Sequence, residues 1–149
     1  MTHRLIREQR VSKPLAETFA FFERPENLAT LTPPSLHFLL LSPSPVPMAK
    51  GTTIDYKLQI WGFRIRWTSV ITAYDPPHGF SDEQTQGPYA VWRHRHLFSA
   101  TADGTLVRDE VAYELPWGIL GRIAHALVVR RQLKRIFDYR EKMLQELLG

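Results

Sequence analysis

The sequence predicts an α+β fold with a curved antiparallel sheet of about seven strands, two short helices and one long C-terminal helix. Two observations carry this prediction. Between Gly51 and Glu114 the chain repeatedly alternates apolar and polar residues, which is the period of a half-buried strand. After Gly118 the apolar residues recur at three- and four-residue steps, which is the period of an amphipathic helix.

The composition is that of a globular domain. The chain has 149 residues, 44% of them hydrophobic and 23% charged, which suffices for one domain with its own core over residues 1–149. There is no cysteine, so disulfides, thiolate metal sites and cysteine nucleophiles are excluded. No secretory leader and no apolar run of roughly 18 residues is found, so we expect a cytoplasmic protein.

The N-terminal third is predicted to hold two strands and two short helical segments. Residues 3–12 form a weakly patterned strand, after which Ser12 and Pro14 begin a short helix. Pro25 ends that helix and opens a second helical turn. Residues 36–41 are predicted to form a short apolar strand, followed by a loop that contains three prolines.

The central part of the chain consists of alternating segments separated by turn residues. The predicted strands are Ile54 to Ile60, Phe63 to Ile71, Phe80 to Gln86, residues 90–100 and residues 105–114. In the second of these, Phe63, Ile65, Trp67 and Ile71 are predicted to face inward, with Arg64 and Arg66 outward. Trp61 falls at the hairpin between the first two and is expected to pack there or to be exposed.

The last segment is predicted to be one helix over residues 119–148, long enough to lie across the whole sheet. Its apolar stripe comprises Ile123, Leu127, Leu133, Ile136, Phe137, Met143, Leu144 and Leu147.

The order of these elements and several short stretches resemble the SRPBCC, or START-like, superfamily. The resemblance covers essentially the whole chain and is carried by residues 21–28, 32–34, 80–89, 92–98 and 109–116. Three of these stretches are similar to one bacterial subgroup. The superfamily includes Bet v 1-like proteins, polyketide cyclase/dehydrase-type proteins, coenzyme-Q-binding proteins and lipid-transfer domains. The resemblance implies a helix-grip fold, in which a cavity lies between sheet and long helix, and a single START-like ligand-binding domain over residues 1–149.

Polar side chains interrupt the aromatic inner face of the predicted strand at residues 90–100. His94 and His96 share that face with Trp92, and Asp109 is expected on the same face of a neighbouring strand. An imidazole can act as a general base when a neighbouring carboxylate holds it in one tautomer. His94, His96 and Asp109 are therefore the candidate catalytic residues. The same set is also compatible with a buried hydrogen-bond network, with recognition of a ligand head group, or with a metal site of two histidines and a carboxylate. We expect neither a metal nor a cofactor.

The aromatic and polar residues of the inner face predict the wall of a ligand cavity. The predicted ligand-binding residues are Tyr56, Ile65, Trp67, Gln84, Trp92, His94, His96 and Tyr113.

Two functions follow from this cavity. The first is binding of a small hydrophobic molecule, such as a lipid, a quinone or a polyketide-like compound. The alternative is a cofactor-independent cyclase or dehydratase that uses a His/Asp acid–base pair, so the question of enzymatic activity stays open. A binding module needs polar groups that satisfy one another, whereas an enzyme needs a titratable group left free and aimed into the cavity.

The long helix carries many cations, and the net charge of the chain is +4. Arg130, Arg131, Lys134 and Arg135 form a cluster without an acid, which is compatible with peripheral contact with an anionic membrane or an acidic protein. The other cations of this helix, Arg140 among them, are expected on its solvated face. No nucleic-acid-binding motif accompanies the charge, so nucleic acid is not an expected partner.

Overall fold

The computed structural model describes residues 2–60 and 62–149, so Trp61 lies outside the described residues. The strands and helices follow one another in the predicted order. The strands are β1 (His3–Val11), β2 (Leu39–Leu40), β3 (Thr53–Ile60), β4 (Phe63–Asp75), β5 (Gly79–Gln86), β6 (Val91–Thr101) and β7 (Gly104–Glu114). The helices are α1 (Leu15–Phe22), α2 (Leu28–Leu31), α3 (Gly118–Ala124) and α4 (Arg130–Leu148).

The seven strands form one antiparallel sheet in the order β1-β7-β6-β5-β4-β3-β2. Consecutive strands from β2 to β7 are neighbours, and β1 joins the far edge beside β7. This arrangement confirms the predicted sheet. It also places β6, the strand that carries both histidines, between β5 and β7, so that side chains from three strands meet on its inner face.

The C-terminal helix is continuous from Gly118 to Leu148, which confirms the prediction of one long helix. Its α-helical parts, α3 and α4, are joined by a π-helical segment, His125–Val129. The backbone N–H groups of Ser12 and Lys13 bond the carbonyl oxygen of Leu148, so the β1–α1 connection satisfies the end of α4. No helix in the described part of the chain is long and apolar enough to cross a bilayer.

The predicted apolar stripe of this helix is only partly buried. Leu133, Phe137, Arg140, Leu144 and Leu148 are the buried residues of α4, whereas the predicted Ile123, Leu127 and Leu147 are exposed. A π-helical turn holds more residues than an α-helical turn, so it shifts the phase of the helix. The apolar residues before the π segment therefore do not continue the face that packs on the sheet.

Two strand predictions need correction. The predicted strand at residues 36–41 is reduced to β2, because Pro34–Leu36 forms a 3₁₀ turn before it. Phe63 is 71% exposed rather than inward, because it lies at the very start of β4, beside the Gly62 turn. Further along β4 the predicted register holds, with Trp67 and Ile71 buried and Arg66 exposed.

The core falls into two clusters on the inner face of the sheet. One contains Phe19 and Phe22 of α1, which pack on Phe80 and Phe98 and on Leu144 near the end of α4. The other lies under the beginning of α4 and contains the following residues: Trp67, Trp92, Val111, Tyr113, Leu133 and Phe137. The candidate site lies where these clusters meet.

Candidate functional site

A cavity of about 180 Å³ lies between the sheet, α4 and the α1–α2 region. Strands β3 to β6 provide one wall, and Leu133, Ile136 and Phe137 of α4 provide the opposite one. The lining is mainly apolar and includes polar side chains from the sheet, from α4 and from the α1–α2 region. A cavity with these properties is the arrangement in which proteins bind small molecules.

Aromatic rings make up the end of the cavity formed by β3, β4 and β6. Trp67 and Trp92 meet edge to face with ring centroids 5.3 Å apart, and Tyr56 stacks on Trp67 at 5.9 Å. The indole N–H of Trp67 donates to the Ser69 hydroxyl at 3.0 Å. Because that donor is already satisfied, the Trp67 indole offers a ligand its ring surface rather than a free N–H.

Five polar side chains form a cluster beside the cavity, hereafter the His–Asp cluster: Asp82, His94, His96, Asp109 and Arg140. His94 Nε2 donates to Asp109 Oδ1 at 2.8 Å, and His96 Nε2 donates to Asp82 Oδ2 at 2.8 Å. Each histidine thus pairs with a carboxylate on a different neighbouring strand. The cluster ties β5, β6 and β7 together.

The two imidazoles are also held by ring stacking. His94 and His96 lie two residues apart on β6, and their ring centroids are 3.7 Å apart. Phe80 stacks on the other face of His96 at 4.2 Å. Stacking and hydrogen bonding together fix the orientation of His96.

Arg140 is the member of the cluster that the sequence prediction placed wrongly. It lies buried on the inner side of α4, where its Nη2 donates to Asp109 Oδ1 at 3.2 Å and its guanidinium sits over the Phe22 ring. The sequence does indicate an inward position for Arg140, because this residue is three residues after Phe137 and four before Leu144, in phase with the buried stripe. Counting it among the surface cations obscured that phase.

The environment of the cluster shifts the pKa of its ionisable groups. Burial alone would raise the pKa of Asp109, but Arg140 and the hydrogen bond from His94 outweigh it and hold that pKa well below the ordinary value. Burial likewise opposes ionisation of Asp82, yet the hydrogen bond from His96 brings the net pKa of Asp82 below its ordinary value. Burial and the neighbouring His94 lower the pKa of His96 to about 4. His96 is therefore neutral near neutral pH, with its proton on Nε2.

Asp82, His94 and His96 also bring three potential metal donor atoms within 4.8 Å of one another. In this geometry Nε2 of each histidine already bonds a carboxylate, and the guanidinium of Arg140 bonds Asp109 as well. An ion held by the Nε2 atoms would have to replace both hydrogen bonds. The arrangement is that of a self-paired hydrogen-bond network.

Five of the predicted ligand-binding residues line the cavity. They are Tyr56, Trp67, Trp92, His94 and His96. Asp109, the third candidate catalytic residue, is not among the lining residues and lies behind the histidines, where it contacts Arg140. Asp82, which the sequence placed on the inner face with Phe80, is a lining residue.

The prediction that Ile65, Gln84 and Tyr113 line this cavity is wrong. Ile65 is half-buried near the β3–β4 turn, and the Gln84 amide bonds the backbone of Tyr89 to close the β5–β6 connection. Tyr113 is inward but lies on β7, beyond the strands that form the cavity, and its hydroxyl bonds His125 at 2.8 Å. The alternation of residues predicts which face of the sheet a side chain is on. Whether that side chain reaches the cavity depends on the order of the strands in the sheet, which alternation does not predict.

Comparison with known proteins was made at the level of sequence and of structure. No protein-family model matches the chain, and no curated protein sequence matches it. Solved structures do match over nearly its whole length. The chain is similar to the di-domain ARO/CYC protein StfQ from the steffimycin biosynthetic pathway, with 14% identity, 99% of this chain covered and a TM-score of 0.76. It spans half of StfQ.

Two further similarities cover almost the full length of both chains. Ginseng major latex-like protein 151 from Panax ginseng is 12% identical, with 97% of this chain and 96% of that chain covered and a TM-score of 0.71. Ara h 8.0201 is 15% identical, with 98% of this chain and 99% of that chain covered and a TM-score of 0.63. Together with the grip of the long helix on the seven-stranded sheet, these similarities show that the chain has the START-like (SRPBCC, Bet v 1-like) helix-grip fold.

Proposed function

We propose that the protein binds a small, mainly apolar molecule in the cavity between the sheet and α4. The observation that carries this proposal is a mainly apolar cavity with aromatic walls, beside which two buried carboxylates are paired with the imidazoles of His94 and His96. Self-paired groups leave the apolar surface as the main source of affinity. They also leave the fold stable when no ligand is present.

The size of the cavity narrows the ligand class. A cavity of about 150 Å³ is enough to hold a benzene molecule, and this one measures about 180 Å³. Pockets for drug-sized ligands are larger, at roughly 300–1,000 Å³. Among the lipid, quinone and polyketide-like compounds that the sequence raised, the volume favours a compact ring system over a long acyl chain.

Asp82 is the group that we propose for recognition of the ligand's polar end. Its side chain keeps 17% exposure, against 7–9% for the other four members of the His–Asp cluster. Its lowered pKa keeps it ionised, so it acts as a hydrogen-bond acceptor. The preferred ligand then carries a hydroxyl or amine donor on the ring.

The alternative is a cofactor-independent cyclase or dehydratase that uses the same cavity. The His94–Asp109 pair and the structural similarity to an ARO/CYC protein favour it. Against it, His96 Nδ1 and Arg140 Nε, the fully buried nitrogen atoms of the cluster that lack a partner, are closed off from any accessible surface. A general base must reach the proton that it removes, so the base of such an enzyme would be His94, which lines the cavity, rather than His96. We place ligand binding first because the lining of the cavity is mainly apolar.

Peripheral contact between the Arg130–Arg135 cluster and an anionic surface is a second and separate proposal. Lys134 of this cluster is paired with Asp138 at 2.7 Å, whereas no ion pair of Arg130, Arg131 or Arg135 is found within the described residues. Free cations on one helix favour an anionic partner. This contact is developed in the next subsection.

A pair of ring compounds that differ in one donor tests the cavity proposal. We expect 1-naphthol to bind about tenfold more tightly than 1-methoxynaphthalene, because only the former donates to an ionised acceptor. Asp82→Asn should remove most of that difference. The matched control is Glu83→Gln, since Glu83 is the next residue of β5 and pairs with Arg93 on the outer face. Calorimetry that detects no binding of either compound would contradict the proposal.

A further inference from the structure

The beginning of the C-terminal helix carries an apolar surface that no other part of the described chain covers. Five large apolar side chains there are more than half exposed, and they are here named the α3 face: Trp117, Ile119, Leu120, Ile123 and Leu127. The buried side of α3 is marked by Gly121, which packs against the backbone of Pro116. Contiguous exposed apolar residues of this kind mark a binding surface in a globular protein.

Trp117 lies at the N-terminal end of the α3 face and has an unusual backbone conformation. Its φ of 71° and ψ of 23° lie in the left-handed region, which a bulky side chain seldom adopts. The side chain is nevertheless 76% exposed. Such a conformation is uncommon enough to point to function when it projects an indole into solvent.

Unpaired cations follow the α3 face along the same helix. A groove between β1 and the C-terminal helix is lined by Arg4, Arg7, Arg130, Arg131 and Lys134, and no acidic residue lines it. Lys134 and Arg7 are paired with Asp138, while Arg4, Arg130 and Arg131 make no ion pair within the described residues. The groove therefore presents free guanidinium groups next to exposed apolar side chains.

We propose that the α3 face and this groove dock the protein on an anionic membrane surface. The apolar side chains would enter the interfacial layer, and Arg4, Arg130 and Arg131 would bind lipid phosphates. Exposed Trp and Leu followed by Arg on one helix is the composition of an interfacial helix. Indole rings favour the depth of the lipid head groups.

Charge distinguishes this partner from a second copy of the chain. In a two-fold dimer through the α3 face, the same surface of each subunit faces its counterpart. The groove beside this face is lined by no acidic residue among the described residues, so a second copy of the same groove offers no acid to Arg130 and Arg131. An anionic lipid surface matches both the apolar and the cationic part. The inference deepens the second proposal above and is independent of the cavity ligand.

Vesicle binding tests the proposal with two classes of variant. We expect the protein to sediment with vesicles of phosphatidylcholine and phosphatidylglycerol and not with phosphatidylcholine alone. Arg130→Gln with Arg131→Gln should weaken binding about 30-fold, since each cation near such a surface supplies about 1 kcal/mol. Leu120→Gln with Leu127→Gln should weaken it as well. The matched controls are Arg10→Gln with Lys57→Gln, and Phe63→Gln with Leu39→Gln, which are exposed elsewhere.

The fluorescence of Trp117 reports insertion directly. Vesicles with brominated acyl chains should quench the wild type, and Trp117→Phe should lose most of that quenching while it still binds. Equal sedimentation of wild type and both test variants would overturn the proposal. So would a dimer in analytical ultracentrifugation that Leu120→Gln with Leu127→Gln converts to monomer. Binding of 1-naphthol by the docking variants should be unchanged, which separates this inference from the cavity proposal.

Discussion

Arg140 and His94 donate to the same carboxylate oxygen of Asp109, so one buried atom joins the last helix to the central strands of the sheet. Two carboxylates and one guanidinium are buried together in this cluster. Buried charge of this kind is costly unless every partner is present. The cluster therefore both holds the cavity wall in place and makes the fold sensitive to the loss of any one member.

Removing Arg140 should be strongly destabilising. Arg140→Met keeps much of the side-chain volume but leaves Asp109 buried without its cationic partner. We expect a loss of about 3–5 kcal/mol in the free energy of unfolding, as for other broken buried pairs. Denaturant titration measures it, with the exposed Arg135→Met as control. A loss no larger than that of the control would show that Asp109 is adequately compensated by His94.

Stability should fall as the pH is lowered from neutral. An unperturbed histidine takes up a proton near pH 6.5, whereas the folded protein holds the pKa of His96 at about 4. Between these values the unfolded state binds more protons, so acidification favours it. The lowered pKa values of Asp82 and Asp109 extend the loss to lower pH.

The contribution of His96 alone is about 3 kcal/mol over this range. His96→Gln, which retains a donor toward Asp82, should therefore flatten the pH dependence of the unfolding free energy. His78→Gln, at an exposed turn position, should leave it unchanged. If His96→Gln has the same pH dependence as the wild type, another group is responsible.

The order of the elements and the inner face of most strands could be predicted from the sequence. Both depend on the two-residue alternation of strands and the 3.6-residue repeat of helices, which are local properties of the chain. The spacing of Arg140 from Phe137 and Leu144 also matches the buried stripe, so the sequence could have placed it, although its pairing with Asp109 is not a local property. The sequence could not separate Tyr113 from the cavity, because the pairing of β7 with β1 is not a local property. The exposure of Ile123 follows from the phase shift at a π-helical segment, which no residue pattern predicts.

His96 should control the ligand preference through Asp82. In His96→Leu the carboxylate of Asp82 loses its hydrogen bond, so its pKa rises. The preference for 1-naphthol over 1-methoxynaphthalene should then disappear at mildly acidic pH, where the wild type retains it. Affinity is measured by calorimetry and expressed per folded molecule. His94→Leu, which affects Asp109 instead, is the comparison, and an unchanged preference in His96→Leu at every pH would restrict His96 to a structural role.

Filling the cavity should abolish ligand binding without loss of stability. Leu58 is buried and lines the cavity wall from β3. Leu58→Phe adds volume into empty space, so we expect the free energy of unfolding to stay within about 1 kcal/mol of the wild type. Affinity for 1-naphthol should fall at least tenfold, on the order of 1.4 kcal/mol. Leu39→Phe, at an exposed position on β2, should change neither quantity. If Leu58→Phe still binds 1-naphthol with full affinity, the compound occupies another surface and the cavity proposal is wrong.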